Sequence, residues 1–159
     1  MSQNRVNPKA GWVYRVKDRG PNGRGLCRYC GQEVPQGRRT FCGESCVHEW
    51  RLRSDPGYVR RQLWGRDHGR CAICGLDTDG AQDELRRLPR WFQRQVISER
   101  QVPELYRSWW EADHIVPVAE GGGECDLSNY RTLCWRCHRR ETAELRRRLA
   151  AAHAIDHSA

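Results

Sequence analysis

The sequence predicts a small α+β protein held together by metal rather than by a large apolar core. Three observations carry this. The chain has 159 residues, with 38% hydrophobic and 30% charged residues, and a mean hydropathy of −0.90, so little apolar material is available for burial. Eight of its nine cysteines fall into four close pairs, Cys27/Cys30, Cys42/Cys46, Cys71/Cys74 and Cys134/Cys137. Apolar residues recur at helical spacing after the second and fourth pairs, while candidate strands are short. No apolar run approaches the ~20 residues of a bilayer span, which excludes a helical membrane protein.

Residues 1–26 form a basic segment ending in Gly and Pro, with one alternating stretch at Trp12–Val16 that reads as a short strand. Residues 27–54 read as a zinc finger with a following helix. Cys27-x2-Cys30 precedes Gly31 and suits a knuckle turn, and Cys42-x3-Cys46 puts two thiolates one helical turn apart. Four thiolates so spaced fit tetrahedral zinc. The N-terminus, MSQNRVNPKAGWVYRV, lacks a signal-peptide h-region, which predicts a reducing cytoplasmic or nucleoid-associated setting where metal ligation outweighs disulfides. Cys125 is left over and reads as a free, partly buried thiol.

Residues 43–69 read as helical, with Val47, Trp50, Val59, Leu63 and Trp64 supplying apolar contacts. Ser54-Asp55-Pro56 marks an interruption, a new N-cap and a proline at the first helical position. Residues 77–110 form an insert of short helices broken at Pro89 and Pro103, opening on an Asp77–Gly80 turn, its aromatics assigned to the core. Cys71/Cys74 and Cys134/Cys137 make a second, closed four-cysteine site, structural because it leaves no open position. Residues 150–159 read as a frayed tail. His153 and His157, four apart, lie in it.

Net charge is +8, and all but two of the 28 Lys+Arg residues are arginine. Arginine forks match phosphate geometry, so a polyanionic partner is expected. Arg60, Arg61, Arg136, Arg139 and Arg140 are the candidate phosphate contacts.

Beside the second cysteine set lie residues that a structural zinc does not need. These are Asp113-His114-Ile115-Val116-Pro117, Gly121-Gly122-Gly123, Asn129, and His138 directly after Cys137. In identity, order and spacing this pattern resembles the HNH endonuclease motif over about residues 71–148. The preceding finger, Trp50–Ser54, Tyr58-Val59-Arg60 and Gly121–Cys125 extend the likeness to the finger-plus-HNH region at the C-terminus of the vertebrate annealing helicase/endonucleases. The chain has no helicase portion and so reads as a stand-alone nuclease.

The resemblance implies a ββα-metal fold within residues 55–149, with Asp113 and His114 on a β-hairpin and His138 on the helix after Cys134. It implies His114 as general base, Asn129 as orienting residue, and Asp113 and His138 as ligands of a catalytic Mg2+ or Mn2+, in addition to two structural zinc ions. The implied partner is DNA, with the chain monomeric or a homodimer and no membrane association. The chemistry is consistent with this: a neutral imidazole can take a proton at pH 7, and a carboxylate with an imidazole forms a small, open ligand set. The competing reading is a non-catalytic zinc-dependent DNA-binding or scaffold module, which would not need all four of Asp113, His114, Asn129 and His138. On flat strand geometry Asp113 and His114 would face opposite ways, so their joint use in one site demands a structural explanation.

Overall fold

The computed structural model describes residues 19–123 and 126–156. The Trp12–Val16 strand, Cys125 and His157 lie outside the described residues. Two compact units are present among the described residues, one of residues 19–59 and 126–127, the other of residues 60–123 and 128–156.

In the first unit Cys27 and Cys30 sit on a tight turn. Gly31 takes φ +73°, a left-handed conformation open to glycine. Its N–H bonds Cys27 O at 2.9 Å, and Cys27 N–H bonds Gln32 O at 2.7 Å. Cys42 precedes α1 (Glu44–Ser54), whose first turn carries Cys46. Helix α1 ends before Asp55, where Asp55 Oδ1 accepts the Tyr58 N–H at 3.0 Å and starts α2 (Pro56–Asp67). The Ser54-Asp55-Pro56 signal therefore marks the helix break for the expected reason: a side-chain cap followed by a proline whose missing N–H costs nothing there.

In the second unit the turn is repeated. Gly75 has φ +73°, Gly75 N–H bonds Cys71 O at 2.9 Å, and Cys71 N–H bonds Leu76 O at 2.9 Å. Then come α3 (Thr78–Arg86) and α4 (Arg90–Arg100). Asp77–Gly80 is not a free turn, as the sequence suggested, but the cap and first turn of α3, with Asp77 accepting the Gly80 N–H at 2.9 Å.

Strands β1 (Trp110–His114) and β2 (Tyr130–Cys134) pair antiparallel, Asp113 opposite Arg131 and His114 opposite Tyr130. They do not form a tight hairpin: residues 115–129 intervene, with two short 3-10 turns. Helix α5 (Trp135–Asp156) follows β2 directly. It continues through Asp156, which corrects the expectation of a tail from residue 150; Ala150-Ala151-Ala152 has high helix propensity and extends the helix.

The core is thin, as the composition requires. One cluster joins Cys71, Leu133, Cys134 and Cys137, with Leu76 and Trp135 against it. Another joins Leu85, Val102 and Trp109, with Val96, Ile97 and Leu105 against it. Within this unit α2 grips both strands: Asp67 Oδ2 accepts the Thr132 hydroxyl at 2.7 Å, Arg66 donates to Tyr130 O at 2.9 Å, and Arg60 donates to Glu111 at 3.0 Å. No helix among the described residues is long and apolar enough to cross a membrane.

Four side chains differ from the sequence reading. Trp64 is half exposed because its indole N–H bonds Asp79 Oδ2 at 2.9 Å. Trp91 and Tyr106 of the insert are exposed rather than core, at 68% and 80%. Arg60 faces the sheet, with its guanidinium 4.0 Å from the Trp110 ring centroid and bonded to Glu111, Ser108 and Trp110 O. Those contacts occupy the donors that the sequence reading had offered to phosphate.

Candidate metal centres and nuclease cleft

Each cysteine quartet converges. In both Cys27/Cys30/Cys42/Cys46 and Cys71/Cys74/Cys134/Cys137 the four sulfurs lie within 4.8 Å of one another. Tetrahedral ligands 2.3 Å from a zinc ion sit about 3.8 Å apart, so both donor sets fit zinc. The backbone prepares one thiolate in each. Burial pushes the Cys27 thiol up, but the N–H groups of Cys30, Cys42 and Tyr29 outweigh it and bring it down to about 6. Cys71 is brought to about 6 against the same burial by the N–H groups of Cys74, Cys134 and Ile73. The later cysteines go the other way. Hydrogen bonding to the Cys30 sulfur and burial push Cys42 up to about 12, and burial raises Cys134 and Cys137. Four thiolates this close repel unless a cation sits among them, which is the electrostatic demand that a metal ion answers. His48 stays outside the first quartet, its Nδ1 hydrogen-bonded to Tyr58 Oη at 2.7 Å.

A second kind of site lies where β1, residues 115–118 and α5 meet. A cleft of about 250 Å³ is lined by Asp113, His114, Ile115, Val118, Arg131, His138, Glu141, Thr142, Leu145 and Arg148, among others. Asp113 and His114 both line it despite their opposite strand faces. Pairing ends at His114; its ring packs on Tyr130 with centroids 4.3 Å apart, at the open end of the sheet. Burial pushes the His114 imidazole below its ordinary 6.5, with the Asp113 charge opposing. The ring is therefore neutral at pH 7.

On α5, His138, Glu141, Thr142, Leu145 and Arg148 line the cleft at three- and four-residue steps, on one face of the helix. Asp113 Oδ1 lies 3.9 Å from His138 Nε2. Two ligands of one small ion, each at about 2.1 Å, can be at most about 4.2 Å apart, so this pair fits a shared divalent cation with most positions open. The other carboxylate oxygen, Asp113 Oδ2, accepts Arg131 Nε–H at 2.9 Å. Arg131 in turn donates to Glu141 Oε2 at 2.9 Å.

Asn129 does not line the cleft. Its side chain bridges the 115–123 loop, accepting the Val116 N–H at 2.8 Å and donating to Val116 O at 3.0 Å and Gly122 O at 2.9 Å. The loop passes so close that a Cβ on Gly122 would sit 1.7 Å from Val116 O. Arg148 ties the same loop to α5 through Glu120 at 3.0 Å.

The sequence reading missed Arg131, Glu141, Tyr130 and Arg148. Glu141 carried a usable signal, lying three residues after His138 on the same helical face. Arg131 and Tyr130 carried none, because their partners follow from strand register across a 15-residue connection. Of the candidate phosphate contacts other than Arg60, Arg61, Arg136, Arg139 and Arg140 are exposed. Arg136 leans over Trp135, and Arg140 lies 3.7 Å from Glu141.

Residues 102–144 match the HNH endonuclease family model. The chain is 31% identical over 160 residues to the mouse protein described as DNA annealing helicase and endonuclease ZRANB3, covering 87% of this chain, and 30% identical over 164 residues to the human one. It spans about 15% of the length of those relatives. The crystal structure of the human ZRANB3 HNH domain superposes with a TM-score of 0.52 and 26% identity, covering 64% of this chain and 97% of that domain.

Proposed function

Proceeding from an HNH endonuclease domain, homologous to that of ZRANB3, in the second half of the chain, we propose that the protein is a metal-dependent DNA endonuclease hydrolysing phosphodiester bonds in the 113–148 cleft. The observation that carries this reading is the convergence of a neutral, half-buried imidazole (His114) with an Asp113–His138 ligand pair 3.9 Å across.

A divalent ion held by Asp113 and His138 supplies charge neutralisation at the phosphoryl oxygens when bound. His114 accepts the proton of the attacking water; a base already neutral at working pH is competent without prior deprotonation. Arg131 holds one oxygen of Asp113 and so turns the other toward His138, and Glu141 holds Arg131. Asn129 fixes the backbone of the loop that follows His114, so its contribution is the placement of the base rather than contact with substrate. Arg61, Arg136, Arg139 and Arg140 attract the DNA backbone, which gives affinity with little sequence information. Both cysteine quartets hold zinc, and the one at Cys71/Cys74/Cys134/Cys137 sets the first turn of α5 and hence His138. The finger at residues 27–54 is an accessory module of the nuclease domain.

A plasmid-cleavage assay in Mg2+ or Mn2+, with an EDTA control, tests this. His114→Ala should lose on the order of 10²–10⁴-fold in rate, with DNA affinity and zinc content unchanged, and no added metal should restore it. His138→Ala should regain part of its rate in excess Mn2+. A folded His114→Ala protein cutting at the wild-type rate would overturn the mechanism.

A further inference from the structure

Helix α4 contains a surface that the cleft chemistry leaves unused. Its buried side is apolar: Val96 and Ile97 pack against Leu85, Val102 and Trp109. Its outer side is not simply polar. Trp91 and Arg94 lie about 60° apart in helix rotation and share the sector away from Val96, while Arg90, the first residue of the helix, sits within about 20° of the rotation of Ile97. The Trp91 indole is 68% exposed. It touches the edge of Phe92, with ring centroids 5.5 Å apart and planes at 82°, which leaves an indole face open. Arg87, Arg90 and Arg94 are exposed and have no ion-pair partner among the described residues. By contrast, Arg53, Arg86, Arg131 and Arg148 each bond a carboxylate.

An indole left in water is a stabilisation forgone, since burying it in the adjacent apolar cluster would favour folding. Flanked by unpaired guanidinium groups, it matches one ligand chemistry well: a flat π-face next to a phosphate. Paired bases in a duplex keep their faces covered by their neighbours. Unpaired bases expose theirs. The charge pattern also argues against an acid-poor protein partner, because a docking peptide would have to supply carboxylates for the exposed, unpaired arginines of this surface.

We propose that α4 is a single-strand-binding platform on which an unpaired base stacks against Trp91 while Arg90 and Arg94 hold the adjoining phosphates. The proposal rests on the endonuclease reading only for the identity of the polymer as DNA.

The test is equilibrium binding of the full chain to a fluorescent oligo-dT and to a duplex of equal length, both in EDTA, so that cleavage plays no part. Trp91→Ala should weaken oligo-dT binding about tenfold, within the range for loss of one stacked base, and change duplex binding by less than twofold. Trp91→Phe should restore most of the affinity, because the π-face returns. Arg90→Gln combined with Arg94→Gln should reduce the salt slope on oligo-dT by about 1.4, at about 0.7 per phosphate contact on a single strand. If Trp91→Ala binds oligo-dT like the wild type, or loses equally on both DNAs, the proposal is overturned and a protein surface becomes the better assignment for α4. The endonuclease reading is judged separately by plasmid cleavage, so loss of one result leaves the other intact.

Discussion

The two cysteine quartets begin with the same turn and do different work. Each opens on Cys-x2-Cys-Gly with the glycine at φ +73° and the same pair of backbone hydrogen bonds. Each ends in the first turn of a helix. The first quartet closes residues 27–46, a loop of local contacts. The second joins Cys71 to Cys137 and gathers β2, the start of α5 and the turn before α3. Loop-closure entropy alone separates the two by only about 1 kcal/mol, because the cost grows with the logarithm of loop length. The larger difference lies in what is attached. Of the cluster around the second quartet, three of the four buried members are its own cysteines, with Leu133 the fourth. Identical local chemistry can therefore be a small clip in one place and most of a core in another.

The strongest way to break this comparison is to remove one ligand from each quartet. Cys137→Ser should unfold the nuclease-domain unit, abolish cleavage and strip α5 of its helical circular-dichroism signal, because metal affinity and folding are coupled in so small a core. Cys42→Ser should cut bound zinc from two equivalents to one, measured by elemental analysis, while cleavage falls by less than tenfold. Equal collapse in both variants would show that the quartets do not differ as argued.

A smaller effect sharpens the comparison inside the cleft. Arg131→Gln removes the donor that fixes Asp113 but leaves both cysteine quartets untouched. Cleavage should fall about 10–100-fold, the usual cost of losing a partner that orients a metal ligand. Excess Mn2+ should not restore it, since the direction of Asp113 is lost rather than its charge. Unchanged cleavage in Arg131→Gln would reduce the Asp113–Arg131–Glu141 chain to surface pairing.

The smallest expected effect is on pH. Burial holds His114 below 6.5 in the folded protein, whereas the unfolded chain has the ordinary value. Between those two values the unfolded state binds a proton that the folded state does not, so stability contributed by this group is present above 6.5 and is lost as pH falls to the folded value. Cleavage should decline over the same window as the base becomes protonated. Thermal melts and rates from pH 5 to 8 measure both, and His114→Ala should flatten the stability difference. A rate midpoint above 6.5 would contradict a burial-lowered base.

Much of this molecule was legible in its residue spacing. Cysteine pairs, the Asp55-Pro56 helix start and the one-face series His138, Thr142, Leu145 depend on neighbours within a turn or two, and such signals survive in a linear reading. Arg131 against Asp113 does not, because it requires the register of two strands joined by residues 115–129. Arg60 was misread for a related reason: a cation in a basic run looks solvated until Trp110 and Glu111 arrive from fifty residues away. Trp91 failed in the opposite direction. An aromatic in an amphipathic insert is expected in the core, yet its neighbours Val96 and Ile97 cover the cluster without it.

The loop pinned by Asn129 also makes a statement about mutational tolerance. Three consecutive glycines there would produce three unlike columns in a saturation library scored for function. Gly121, at φ +92°, should admit asparagine or aspartate better than any branched residue. Gly122 should admit nothing, since even alanine meets the Val116 carbonyl. Gly123, whose added Cβ would make only an ordinary 3.4 Å contact with Val118, should accept alanine and serine freely. A glycine triplet that reads as one flexible hinge is thus three separate constraints, and only the middle one is absolute.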